Sequence, residues 1–402
     1  MVVIACLSPF LANDRPLVCK YKGEWLFPAV STKHQVVLND SEIVNYHMGK
    51  DWKLLSLDFS IFPPCAYSPN SLDPDNATYK SPFDSQYITS KNGITSPLPF
   101  KFRHWLGTTQ NGNDILSGLI HGTKVSLTVS ILSMLIAAFI GILLGAFSGY
   151  FGNNLLQIGY VQLFFASIGA FLAWFYAIVV KEEQLIVAFN TGGMDLILTI
   201  FSSIMLIALI LFTFIKLGKW IDTALHFHKK MPVPIDSFIS RIIEVLNSIP
   251  SLLIVIAISV VTKPSFTLLV LLIGLLSWAD IARVVRAEYL KAKGLDYIAS
   301  CQAIGMSHYR IMFKHILINA LPIIAVQLIF VMAGAVLLEA SLSFIGVGIP
   351  IEMVSWGSLL NEAKDHYTSW WLVLFPGLCL FMLMYLYNKV ASELSKINSG
   401  VE

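Results

Sequence analysis

From Val125 to Val180 the chain carries no charged side chain. About 20 apolar residues cross a hydrocarbon core, so this stretch is too long for one crossing and fits two. The expected break lies at Gly149, Gly152, Asn153 and Asn154. Lipid offers backbone N–H and C=O groups no partners, so such runs must be helices, and they are far too long for barrel strands. Further apolar runs at Leu196–Ile215, Ile243–Thr262, Ser265–Ala282, Ala320–Leu338 and Trp370–Asn388 bring the expected spans to seven. Composition agrees. Of 402 residues 56% are apolar and 13% charged, with a mean hydropathy of +0.70, whereas roughly a quarter of a soluble domain is charged. That excludes an ordinary cytosolic enzyme, a disordered tail and a coiled coil. A net charge of +2 without a clustered basic surface gives no reason to expect a nucleic-acid partner.

Lys and Arg in short loops set the expected orientation. Arg283 to His315 holds Arg283, Arg286, Lys291, Lys293, Arg310 and Lys314 against Glu288 and Asp296. Lys216 to Lys230 holds Lys216, Lys219, Lys229 and Lys230 against Asp222. Both are expected on the cytoplasmic side, as is the C-terminus from Lys389 onward. The Lys181–Asp195 loop, with one Lys against Glu182, Glu183 and Asp195, is expected outside, and the Lys263–Pro264 turn falls outside by alternation. Seven spans then place residues 8–124 outside. Ser8 to Trp105 is polar, rich in Pro, Asn, Asp and Tyr, and reads as an irregular or β-containing external segment. Met1–Leu7 is apolar but too short to span or to act as a full signal peptide. The start is therefore read as lying inside an original first span; the alternative is a short first anchor.

Within the cytoplasmic loop, helical patterns flank Gly294 and Gly305. Asp296 precedes a short helix that it could cap, and Gly305 interrupts a helical pattern, which marks a deliberate turn. The expectation is a helix, a sharp turn and a second helix beneath the membrane, with Tyr297, Ile298, Met306 and Tyr309 exposed. One reading is a loop whose cations meet anionic lipid. The other is a docking knob for another protein.

Arg286, Glu288, Leu290, Asp296, Tyr297, Ala303, Ile304, Gly305, Ser307, Arg310, Ile311, His315, Ile316, Leu317 and Asn319 decide between them. In this order they resemble the docking loop of ABC-importer permeases, in the version of the oligopeptide and dipeptide C-type subunits. Ser300, Cys301 and Ile318 depart from that pattern. The resemblance continues through Leu106–Gly107–Thr108, Asn111 to Asp114, and His121 to Leu127, with Thr109 where the family carries Asp. It takes in Gly149 to Gly152, Ile249 to Leu252, Glu339 to Gly348 and Ser355–Trp356–Gly357. Ala12 to Leu17 and Tyr21 to Pro28 resemble the subgroup with an enlarged external segment that includes microcin C permeases. Residues 154–235 have no counterpart and read as an inserted two-span hairpin.

What the resemblance implies is an all-α polytopic membrane helix bundle of the type I ABC importer permease kind, with an irregular external N-terminal segment. The parts would be residues 1–105, a first complete span in 106–153, the insertion 154–235, and a permease core 236–402 with a docking loop at 283–318. The docking residues would be Glu288, Asp296, Tyr297, Ala303, Gly305, Ser307, Arg310 and His315. Glu339, Ser341 and Ser343 would border a translocation path or gate; a structural hydrogen bond fixing the Ser341–Gly348 turn is the other reading of Glu339. The implied setting is a bacterial inner membrane, with the lipid bilayer, a second permease, two ATPases and an extracytoplasmic solute-binding protein as partners.

No phosphate loop of the G-x-x-x-x-G-K-[ST] kind occurs, so ATP and its magnesium belong on partner ATPase chains. Gly141, Gly145, Gly149 and Gly152 are spaced for close helix packing. Arg241 and Glu244, three apart, share a helix face and can pair. The five cysteines form no metal motif, and Cys19 and Cys65 could pair in an oxidising space. His226 and His228 read as solvent-side residues. No Ser/His/Asp set or carboxylate pair has coherent placement, so no catalysis is expected of this chain. The rival functional class is a self-sufficient secondary transporter or channel, which would show internal repeats and midplane charges. No repeat is visible.

Overall fold

The computed structural model describes residues 1–21, 24–29, 52–54, 57–89, 94–191, 193–224, 230–262 and 264–399. The sequence readings at Lys22, Gly23, His226, His228, Lys229 and Lys263 lie outside them. The long helices are α1 (Ile115–Phe151), α2 (Tyr160–Trp174, prolonged by a π-turn over Phe175–Val179), α3 (Gly193–Ala224), α4 (Ile235–Ser248), α5 (Ser251–Val261), α6 (Phe266–Lys293), α7 (Asp296–Ala303), α8 (Leu317–Ile345), α9 (Trp356–Glu362) and α10 (Trp371–Ser399). Among the described residues six helices are long and apolar enough to cross a membrane, and the bent pair α4–α5 brings the number to seven. At 1.5 Å per residue, α1 is about 55 Å long and outruns a hydrocarbon core of about 30 Å.

Three span boundaries differ from the sequence expectation. The run Ile243–Thr262 is not one straight span: α4 and α5 meet at a 74° bend. Pro250 causes it, because its ring pushes Ile249 out of the helical region into an extended conformation. The run beginning at Ala320 starts earlier, since helical structure is continuous from His308 to Ile345 despite Pro322. The basic stretch expected as a loop from Lys216 is helical as far as Ala224.

By its internal contacts the chain resolves into two compact units, Met1–Val129 with Glu339–Tyr385, and Ser130–Leu338 with Leu386–Glu402. The first contains the irregular and β-containing N-terminal segment. Short helices Val2–Cys6 and Ser8–Leu11 lead into β1 (Val18–Tyr21), which pairs antiparallel with β2 (Glu24–Leu26) on one side and β3 (Phe59–Ile61) on the other. A hairpin of β4 (Tyr87–Thr89) and β5 (Thr95–Pro97) follows. Trp356 anchors this unit: it is fully buried and donates from Nε1 to the Leu119 carbonyl at 3.0 Å. Gly122 lies beneath it, where an added Cβ would come within 2.7 Å of the indole. The Ser355 hydroxyl caps α9.

The core of the second unit lies where α1, α4, α6 and the start of α8 converge on Tyr289, Ile298, Ile311 and Met312. Bare glycine faces bring α1 and α6 together. An added Cβ on Gly141, Gly145 or Gly149 would come within 2.7, 2.6 and 2.6 Å of Ile281 Cβ, the Ala282 carbonyl oxygen and Tyr289 Cβ. Gly152 departs from that stripe. It sits beyond the helix end at φ +59° with open space around it, and it turns the chain. In the α2–α3 hairpin, Gly169 packs on Phe214 and Gly218 on Gln162, and β6 (Gln157–Gly159) pairs with β7 (Lys230–Pro232) to close its base.

Candidate functional site

Residues 294–307 join α6 to the helix that becomes α8. Leu295 is the extended N-cap residue of α7, and Asp296 is the first helical residue, without a side-chain cap bond. The expected Asp296 cap is therefore corrected. Its carboxylate instead lies in the first turn, where the helix dipole favours negative charge. Gly305 turns the chain at φ +72°, with nothing within 4 Å of where a Cβ would stand. Ser307 is the extended residue before His308–Arg310. The helix that follows is not a separate one beneath the membrane. A π-turn over Ile311–Ile316 carries it without interruption into α8, because Arg310 to Asn319 contains neither Gly nor Pro to end it.

The loop is held from within and bare on its outside. Ile298, expected exposed, is fully buried in the second unit's core, and Tyr297 and Met306 pack against that core. The Asn319 amide reaches the Tyr297 hydroxyl at 3.4 Å. Tyr289 donates to the Met312 carbonyl at 3.0 Å, Lys293 to the Tyr150 carbonyl at 2.9 Å, and the Tyr150 hydroxyl lies 2.9 Å from His308 Nδ1. Asp296, Ala303, Ile304, Gly305, Ser307, Tyr309 and Arg310 are exposed, Ile304 by 77%. Glu288 is mostly buried beside Lys291, and His315 is half-buried in the π-turn. Below the loop, Arg286 forms a two-pronged pair with Asp236 on α4 (2.5 and 2.8 Å), and the Ser148 hydroxyl donates to the same carboxylate. Sequence reading missed Asp236, Tyr150 and His308. Their partners are far along the chain, and no local spacing signals them. The Arg241–Glu244 pair forms as its i, i+3 spacing suggests, at 2.7 Å on an exposed face.

Glu339 is fully buried and accepts a hydrogen bond from Ser343 at 2.8 Å, while Ser341 is exposed. The turn expected over Ser341–Gly348 begins only at Gly346 (φ +94°), since α8 runs to Ile345.

The first unit contains a polar cluster that the sequence reading did not assemble. His104 is fully buried, with Nδ1 2.8 Å from Asp114 and Nε2 3.0 Å from Asp73. Two carboxylates can only accept, so both ring nitrogens donate and the imidazole is held as a cation. Burial alone would lower its pKa, but hydrogen bonds to Asp114 and Asp73 outweigh that and raise it. Tyr67 stacks on the ring at 3.9 Å. Cys65 donates to Asp114 at 3.1 Å, and burial pushes its thiol pKa far up, so it is no nucleophile. Cys19 and Cys65 are both free thiols in separate clusters. The cluster is a tie between segments rather than a reactive centre.

Apolar helices in this number, two of them joined by a loop that is bare on its outside, define a multi-pass membrane protein. Residues 223–393 match the family described as binding-protein-dependent transport system inner membrane component. The match spans the part of the chain from the end of α3 into α10 and, with the apolar helices, supports a multi-pass inner-membrane permease. Relatives extend the likeness. The chain is 24% identical to the inner membrane ABC transporter permease protein YejE of Escherichia coli, over 95% of this chain and 84% of that protein. It is 25% identical to the dipeptide transport system permease protein DppC of Bacillus subtilis, over 78% and 74%. It is 34% identical to the oligopeptide transport system permease protein OppC of Salmonella typhimurium, over 40% and 53%. None of this favours a self-sufficient secondary transporter.

Proposed function

We propose that this chain is one of two permease subunits of a bacterial ATP-driven importer for oligopeptides, dipeptides or other peptide-like solutes. The observation that carries the reading is the bare 294–307 loop, which passes without a break into two long apolar helices inside the matched segment. The names of the relatives supply the solute class. In this reading the loop and the C-terminus face the cytoplasm, and the N-terminal segment faces the solute-binding protein. The exposed residues Asp296, Ala303, Ile304, Gly305, Ser307 and Arg310 seat in a cleft on one of two ATPase subunits, which bind ATP and magnesium. Glu288, Tyr297 and His315 hold the loop's base. Closure of the ATPase pair displaces the loop and, through α6 and α8, switches access from one side to the other. The switch requires that the loop contact the two ATPase states differently. Glu339, Ser341 and Ser343 lie on the segment that gates the path.

Gly305→Val tests this. The substitution touches no interior packing and costs about 1–2 kcal/mol of local backbone strain. Membrane insertion is expected to be unchanged, solute uptake abolished, and co-purification of ATPase subunits with tagged protein reduced. Uptake at the unsubstituted rate would sink the coupling role.

A further inference from the structure

The first unit holds a half-open cavity of about 500 Å³ between residues 69–72, 109–118 and 343–362. That volume is within the range that holds a small solute. The charged residues on its wall are Asp114, Glu352 and Glu362; no Lys, Arg or His lines it. The rest of the wall mixes amides such as Asn113 and Asn361 with apolar surface from Leu72, Ile351 and Met353.

We propose that this cavity binds the free ammonium end of a peptide-like solute, with Glu362 as its counter-ion and the apolar wall against the adjoining side chain. Three observations select this ligand. Asp114 is already engaged by His104, Cys65 and the Ser117 backbone N–H, so it is not available to a solute. Glu362 is half-buried, and its Oε2 is screened from water with no hydrogen-bond partner. A carboxylate oxygen in that condition carries an unmet desolvation cost, which an incoming N–H donor removes. Burial raises the Glu362 pKa to about 7, with Thr109 acting in the opposite direction, so an arriving cation would draw it into the ionised form. Third, among the described residues no three His, Cys, Asp or Glu side chains converge as metal ligands would. An alkylammonium group needs no such set, since it brings its own N–H donors. Ser343, which also lines the cavity, has its hydroxyl proton committed to Glu339 and so offers a solute an acceptor rather than a donor.

The inference rests on the importer reading, and the test separates the two. Leucyl-leucine and its N-acetyl form are titrated against the full chain in lipid nanodiscs, by equilibrium dialysis at pH 7.5. In parallel, labelled leucyl-leucine uptake is measured in cells lacking this permease and complemented with it. The free amine is expected to bind at least tenfold tighter than the acetylated form, and Glu362→Gln is expected to remove that preference. Equal binding of the two forms to the unsubstituted chain overturns the site without relying on any variant, and so does an unchanged preference in Glu362→Gln. Failure of the unsubstituted chain to restore uptake overturns the importer reading instead. Restored uptake without amine preference removes the cavity proposal alone.

Discussion

The contact between α1 and α6 can be tested by adding one methyl group. Gly145→Ala would set a Cβ 2.6 Å from the Ala282 carbonyl oxygen, 2.8 Å from Val285 Cβ and 3.0 Å from Ala282 Cα. Two of these are backbone atoms and the third is the branch point of a stiff side chain, so no rotamer change relieves the clash. The two helices must separate by several tenths of an ångström, and every neighbouring contact along the seam loosens with them. Overpacking of this kind costs about 1–3 kcal/mol. Against it stands the gain of replacing glycine by alanine in a helix, at most about 1 kcal/mol. Gly334→Ala isolates that gain, because Gly334 lies in α8 with nothing within 4 Å of an added Cβ. The difference between the two variants is then the packing term alone. Unfolding of purified protein in mixed micelles, titrated with SDS and followed by tryptophan fluorescence, is expected to show Gly145→Ala less stable and Gly334→Ala equal to or more stable than the parent. Equal shifts of the same sign would show that the glycine seam does not set the approach of these helices.

Two further outcomes follow from the polar clusters. The His104 pKa is raised in the folded chain, so its contribution to stability is complete below the unfolded value of about 6.5 and is lost as pH rises through the folded value. Asp73 is displaced the other way. Burial would raise its pKa, but the hydrogen bonds from His104 and Asn76 lower it, so its contribution is present above about 3.9 and lost as pH falls through its folded value. Thermal stability is thus expected to peak between these limits, and His104→Gln should flatten its alkaline side, as a melting series across pH would reveal. In the second unit, Asp236→Ala leaves the half-buried Arg286 guanidinium without its two-pronged partner and is expected to cost about 1–3 kcal/mol, readable in the same SDS titration.

What was legible in the sequence was whatever depends on local pattern. Charge-free length marked the spans, four-residue spacing marked Gly141, Gly145 and Gly149, and the lone Gly305 marked the turn. Pro250 lay in plain view inside an apolar run, but hydropathy alone does not register that a proline breaks a span. The exposure of Ile298 was misjudged because its side chain turns inward from a loop whose neighbours are polar, and only the fold supplies the core it enters. The His104 cluster was invisible for a different reason. Asp73 and His104 are 31 residues apart and meet only because the N-terminal segment folds back on itself.

The π-turn at Ile311–Ile316 has a consequence for how this region tolerates change in length. Each residue advances an α-helix by 100°, and the wider turn absorbs a residue without breaking the helix. The wider turn thus holds one residue more than an α-helical turn while keeping the faces on its two sides in phase. Loss of a single residue there would let the turn tighten to ordinary helix with Ile324 and Val331 still facing the second unit's core, whereas loss of a residue from the plain helix beyond it would swing the following face by about 100°. The stretch Ile311–Ile316 is thus where this helix can give up a residue and keep its phase.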